Sequence, residues 1–537
     1  MIRLHRIFDE VLASSRPPDA TAPPVRRFLD TAIEGISRAF MANQDDNILR
    51  REAIEILAQS KDPRALEALM SALSFRPGNA DSERIALRSA QALKEMAASM
   101  PADKKSVVVQ SLVAAIDRAT GNGSNAVQIR YHALGALGAL HAVEAVLPIS
   151  RLLGRRLADQ DISTARAAAD ALGQIGDARA VDALVYGLFL NVRAQNAFPH
   201  CQRALARVGS AVAVPKLLST LAGQNTQVDA LLADYRNIPN GPPIPDGLVK
   251  STMADVLREF SSPDAVEPLL AILNNTSEAE NVRGAAAEAL AFTAMSVPAS
   301  RDGILRALHT AYSRDRNPSQ ETGWSALTFA SKLSLVGDPS SIPLLLTAIN
   351  HRSIQSLEYA TARVSLLNAF ASIARHGNVA EFDRIEGEIR RLFTSAMAED
   401  PGSAREIRGQ ITVLDKLRAV VDVVRTCEDA DTACYIRSLE SSSPESVRKA
   451  AYMLAWTTPE AQRGAARTAL EGKLNHNDVL VRRSIMVALD ALAPTGAPST
   501  ITRIQAVIAA EEGQESKILS HLWGELLIGR LRARTGS

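Results

Sequence analysis

Cysteine, aromatic side chains, net charge and long apolar runs are all scarce in this 537-residue sequence, and each shortage closes off a class of protein. Three cysteines, Cys201, Cys427 and Cys434, are too few for a disulfide scaffold. The last two, in CEDADTAC, would sit about 10.5 Å apart along one continuous helix, beyond the roughly 7 Å reach of a bridge. If the stretch is instead a turn, with Cys427 ending one helix and Cys434 opening the next, a disulfide becomes feasible. Glu428, Asp429 and Asp431 favour that turn as capping residues. Such a bridge would point to an oxidising compartment. The opening MIRLHRIFDEVLASS has no apolar core of signal-peptide length, so the cytoplasm is the default. The periplasm or another extracytoplasmic site is the alternative if the bridge forms and the natural beginning is missing.

No run approaches the roughly 18 apolar residues of a membrane span. The balance of 60 Lys and Arg against 59 Asp and Glu leaves +1, which excludes a cationic field over the whole chain and makes nucleic acid an unlikely partner. The nine histidines are scattered and form no H-E-x-x-H. His200 and Cys201 are neighbours, but adjacent helical residues point about 100° apart and seldom chelate together. There is no GxxxxGK[ST] loop, no G-x-S-x-G elbow and no convincing strand. The sequence therefore nominates no catalytic residue, no metal ligand and no cofactor.

What is abundant is helix-forming apolar sequence: 46% of residues are hydrophobic but only 4% aromatic, so Ala and Leu must fill the core of closely spaced helices. The stretch Thr164 to Leu188, TARAAADALGQIGDARAVDALVYGL, is one helix, a Gly-Asp stop and a second helix. Taking Leu172 as an anchor, its equivalents are Leu57, Leu93, Leu137, Leu205, Leu257, Leu290, Leu333, Phe370, Leu414, Leu454, Leu489 and Leu526. They recur every 33 to 44 residues except for one interval of 52, near the period of two-helix repeats.

Arg166 to Leu184 resembles the HEAT-like repeat first associated with phycobilisome lyase proteins, and weaker versions cover most of residues 25 to 533. The resemblance implies an all-α, right-handed α-solenoid of about twelve to thirteen helical hairpins. Outer A helices and inner B helices would give it a binding or scaffolding role. Some HEAT-like proteins are di-iron hydroxylases with His-Glu dipeptides, and this chain has none.

The chain then divides into an N-terminal helix and Pro-rich tether (1–24), repeats (25–222), an insertion (223–247), and repeats to 537 ending in a capping helix. Asp62-Pro63, Ser262-Pro263 and Asp338-Pro339 read as inter-helix punctuation. Arg50, Arg130, Arg283, Arg448 and Arg482 recur near the start of B helices. The resemblance suggests a ladder of hydrogen bonds between successive repeats, with a basic stripe as the other reading; Arg51 and Arg483 are then freer to meet solvent. Arg530, Arg532 and Arg534 are explained as cations at a helix C-terminus. Leu231, Leu232, Tyr235, Arg236 and Ile238 give the insertion enough apolar surface either to fold back on neighbouring repeats or to form a partner-binding ridge. The expected function is a noncatalytic scaffold that binds a protein or peptide on its concave surface and insertion loops, with a nucleic-acid-backbone-binding solenoid and a lyase-like enzyme acting on a chromophore or modified protein as rivals.

Overall fold

The computed structural model describes residues 23–155, 160–192, 195–238, 243–315, scattered positions between 332 and 427, and 431–493, 496–511 and 518–535. The N-terminal helix and tether up to residue 22, the anchors Phe370 and Leu414, and the loop beyond residue 315 lie outside the described residues.

Local chemistry sets the helix ends. Asp46 caps α2 (Asn47–Ser60) by accepting from the Ile48 and Leu49 amides, and Asp161 caps α8 (Ile162–Ile175) through Ser163 and Thr164. Gly176 then ends α8 in the left-handed region at φ 73°. The next side chain, Asp177, accepts from the Arg179 amide and starts a 3-10 turn that leads into α9 (Val181–Gly187). The same cap and 3-10 turn occur at Asp62, Ser262 and Asp338. Four residues after the anchor the backbone is left-handed in module after module, including at Lys61, His141 and Ser261, which are not glycines. This explains why the Gly signal is irregular in sequence while the turn is regular in structure.

The residues divide into two compact units, 1–213 with 226–239, and 214–225 with 240–537. In the first, α1 (Pro23–Ala42) packs on α2, α3 (Leu66–Ala72) on α4 (Ala80–Glu95), and α5 (Ala102–Arg118) on α6 (Ser124–Ala139). Likewise α7 (Val146–Leu153) packs on α8 and α9 on α10 (Phe198–Val208). The second helix of each hairpin packs on the next, so α2, α4, α6, α8 and α10 form a row. Their anchors Leu57, Leu93, Leu137, Leu172 and Leu205 are all fully buried. Helix α1 begins at Pro23, two residues before the expected start, because proline at the first helical positions sacrifices no hydrogen bond. Most of α11 (Ser210–Leu221) belongs to the second unit, whereas the insertion forms α12 (Thr226–Arg236) in this one. A two-residue antiparallel pair, β1 (Asn191–Val192) with β2 (Gln195–Asn196), interrupts the otherwise helical unit where no strand was expected.

In the second unit α13 (Leu248–Phe260) packs on α15 (Glu280–Ser296), and α14 (Val266–Asn274) and α16 (Pro298–Asp315) pack on α15. Further along, α17 (Thr432–Ser438) meets α18 (Pro444–Thr457), which packs on α20 (Val479–Leu492). Helix α19 (Arg463–Glu471) also packs on α20, and both α20 and α21 (Pro498–Ala510) meet α22 (Ile518–Thr535). In repeat proteins each module ordinarily packs only on its neighbours. Here, in addition, α20 lies on α15 and α22 on α13.

Candidate protein-binding surface

Helical periodicity places the residues two, five and nine before each anchor, and two after it, on the side opposite the core. Across α2, α4, α6, α8 and α10 these positions, flanked by those six before and one after the anchor, form a face that reaches solvent, with Ile48 71% and, on the flank, Tyr131 47% exposed. Pairs on this face tie neighbouring elements together. Arg88 Nε donates to Glu55 at 2.7 Å, Gln91 and His132 lie 3.3 Å apart, and Arg166 Nε donates to the Asn196 carbonyl at 2.8 Å. Asp170 accepts from His200 at 2.9 Å and Arg203 at 2.7 Å. Burial alone would raise the Asp170 carboxyl, but His200 and Arg203 outweigh it and hold it below its ordinary value. His132 is pushed down, first by burial and then by the charge of Lys94, whose ammonium stands 5.9 Å from the Tyr131 ring centre. The helices approach closely because small residues line the seam: a Cβ on Gly173 would lie 2.7 Å from the Ala204 Cα.

Leu231 and Leu232 of the insertion are buried, and Tyr235 bonds to the segment leading into β1. Its hydroxyl accepts from the Asn191 amide at 2.7 Å and faces the Phe189 carbonyl at 3.2 Å. Arg236 and Ile238 remain exposed.

Among the nominated arginines, Arg130 is buried; it donates to Thr164 at 2.9 Å, to the Ala119 and Gly121 carbonyls and, at 3.5 Å, to Asp161. It thus meets both its own inter-helix turn and the cap of the next repeat. Arg482 donates to the His476 and Asn477 carbonyls, Arg283 to that of Leu273, and Arg50 to that of Gln44 while lying over the Phe40 ring. Arg448 lies on α18 in the corresponding first turns.

The matching face of α13 and α15 is covered. Asp255, Glu259, Glu288 and Phe292 occupy the outward positions there, and α20 and α22 bring Arg483, Trp523 and Arg530 onto them. Arg483 lies between the Phe292 and Trp523 rings, 4.2 and 4.3 Å from their centres, and 3.4 Å from Glu259. It was expected to face solvent; stacking on two aromatic rings holds it in instead. Arg530 donates to Asp490 at 2.8 Å and to the carbonyls of Glu259 and Phe260, the unpaired C-terminal groups of α13. Arg534 bonds the Asp490 and Ala493 carbonyls at the end of α20. The helix dipole does not suffice for these two cations, which cap other helices. Lys332 and Arg258 outweigh burial to hold Glu288 low, whereas burial raises Asp255. Elsewhere in the unit Arg301 on α16 donates to the Tyr452 hydroxyl at 3.0 Å and lies over Trp456. No local pattern could have revealed these pairings, since Arg483 and Glu259 are 224 residues apart.

Cys427 and Cys434 form a disulfide with Cα atoms 5.6 Å apart, and Asp431 caps α17 by accepting from the Cys434 amide. Among the described residues no cluster of three or more His, Cys, Asp or Glu side chains could hold a metal, and no helix is long and apolar enough to cross a membrane.

Models of known families match in three places. Residues 244–322 match HEAT repeats, and 49–75 and 164–185 match the PBS lyase HEAT-like repeat. No curated protein matches the chain. Among solved structures, the karyopherin Kap121p bound to the extreme C-terminus of the protein phosphatase Cdc14p is 12% identical, with a TM-score of 0.47. That alignment covers 98% of this chain and 64% of the karyopherin. Another structure of Kap121p is 14% identical at a TM-score of 0.40, covering 92% of this chain and 53% of the karyopherin. An engineered protein is 18% identical at 0.28, covering 86% of this chain and 98% of that one. The chain thus spans between half and two thirds of the length of the karyopherin.

Proposed function

Starting from a chain built of HEAT repeats, we propose that it is a noncatalytic scaffold whose row α2, α4, α6, α8 and α10 binds a protein or peptide. One observation carries this reading: among the described residues the outward register keeps exposed or half-buried side chains on all five successive helices of the first unit. The mechanism is extended complementarity on a preformed surface, with a few anchors supplying most of the affinity. Tyr131 is the leading anchor, being large, rigid and 47% exposed. Leu231, Leu232 and Tyr235 hold α12 in place, so within the insertion Arg236 and Ile238 are the contacts left for a partner. The five repeated arginines keep a structural part, supported by the carbonyl bonds of Arg130, Arg283 and Arg482. The Cys427–Cys434 bridge favours an extracytoplasmic placement over the cytoplasm.

The test is affinity capture from native lysate with the intact chain beside Tyr131→Ala. A protein retained by the first and lost by the second, at unchanged helicity and melting, supports the reading. Retention of nucleic acid or a coloured small molecule in its place would overturn it.

A further inference from the structure

The same row has a charge bias that the whole chain lacks. On its outward positions from α4 to α10 stand Arg84, Arg88, Arg203 and Arg207, with Lys94 and Arg166 on the flanking positions, against the carboxylates of Glu95 and Asp170. Helix α2 adds Arg51 with Glu52 and Glu55, and Glu55 is already paired to Arg88. Across 537 residues the two signs balance to +1, so this excess is local. Asp170 is spent on His200 and Arg203. Among the described residues Arg84, Lys94 and Arg166 make no ion pair, and Lys94 flanks the exposed Tyr131 ring.

Resting on the scaffold reading above, we propose that the segment received on this row is an acidic stretch of a partner protein, carboxylates meeting Lys94 and Arg166 on either side of Tyr131. Adjacent helices lie about 8–10 Å apart, so the three steps from α4 to α10 span roughly 27 Å. An extended chain rises about 3.3 Å per residue, giving a segment of about eight to nine residues. Protein is favoured over nucleic acid because carboxylates interrupt the cations and the row offers Ile48 and a single exposed Tyr131, not a series of stacking rings. Opposite charge on the partner would also raise its association rate in a salt-dependent way.

The experiment pans a displayed library of random twelve-residue peptides on the full chain and measures each selected peptide against variants. These are Lys94→Glu/Arg166→Glu, the milder Lys94→Gln/Arg166→Gln, and Tyr131→Ala, with circular dichroism confirming that each folds. Selected peptides rich in Asp and Glu, bound at least tenfold more weakly by the charge-reversed variant and less so by the Gln variant, are the expected result. Neutral or basic peptides weakened only by Tyr131→Ala would overturn the acidic assignment while leaving the scaffold reading intact. Peptides indifferent to all three variants would overturn both. Tighter binding of a 20-nucleotide single strand on the same residues would overturn both in favour of nucleic acid.

Discussion

Replacing Arg530 by Met keeps most of the aliphatic stem and removes the guanidinium, which isolates what the charge does. Arg530 is 16% exposed in its side chain and pairs with Asp490, which is fully buried. Breaking a buried pair from one side costs about 3–5 kcal/mol, because the remaining charge is left uncompensated. Arg534 still holds Asp490 at 2.7 Å, which moves the expectation to the lower end. The Glu259 and Phe260 carbonyls lose a charged donor as well, a loss of about 1.5–3 kcal/mol for a hydrogen bond of that kind. These contributions overlap, so the net expectation is about 3 kcal/mol. Trp324, Trp456 and Trp523 all belong to the second unit, so tryptophan fluorescence during urea unfolding reports on that unit alone. With a slope of up to about 3 kcal/mol per molar urea, the midpoint should fall by about 1 M or more. A shift worth less than about 0.5 kcal/mol would show that the contact between α22 and α13 is not an energetic part of the fold.

Four further outcomes follow from particular residues. Lys61→Gly relieves a left-handed backbone at φ 49° and should stabilise the first unit by about 0.5–1 kcal/mol in thermal melts, net of a surface pair with Glu95 that is worth little. Gly173→Val places atoms against Ala204 and should destabilise by about 1–3 kcal/mol; an unchanged melt would show that the α8–α10 seam is loose. Asp170 has a folded-state pKa below its unfolded value of 3.8, so on acidification the unfolded chain takes up the proton first. The stability it contributes is complete above about pH 4 and disappears as pH falls through the folded pKa, and Asp170→Asn should flatten melting against pH in that range. Replacing Cys427 and Cys434 together by Ser opens an eight-residue loop and should cost up to about 2.5 kcal/mol, while thiol titration of the denatured, unreduced parent should find one thiol, that of Cys201.

The inward side of this protein is legible in its sequence because it is written at short range. Every described anchor, Leu526 included, is buried, since a 3.6-residue period is enough to say which side of a helix meets its hairpin mate. The punctuation at Asp62, Ser262 and Asp338 is legible for the same reason: each cap acts on an amide two residues away. The outward side is another matter. The registers of Glu95 on α4 and Phe292 on α15, each two residues after its anchor, read alike, yet one is exposed and the other lies under the guanidinium of Arg483. Arg483 and Arg530 look like surface cations to any local window, and only the arrival of partners hundreds of residues away gives them their places. For the insertion, the sequence left open whether its apolar residues fold back; the hydroxyl of Tyr235, bonded 44 residues upstream, holds them to the fold.

The guanidinium that closes the end of α13 is made 271 residues after the carbonyl it caps. At a synthesis rate of about 5–20 residues per second, the nascent helix waits roughly 15–50 s for it. Throughout that interval Glu259 and Phe292 stand on an uncovered helix face while the intervening repeats emerge. Among the described residues of the first unit, each hairpin finds the next within about 40 residues. Translation therefore delivers the two halves in different states: one assembled as it appears, the other provisional until its final helix is released.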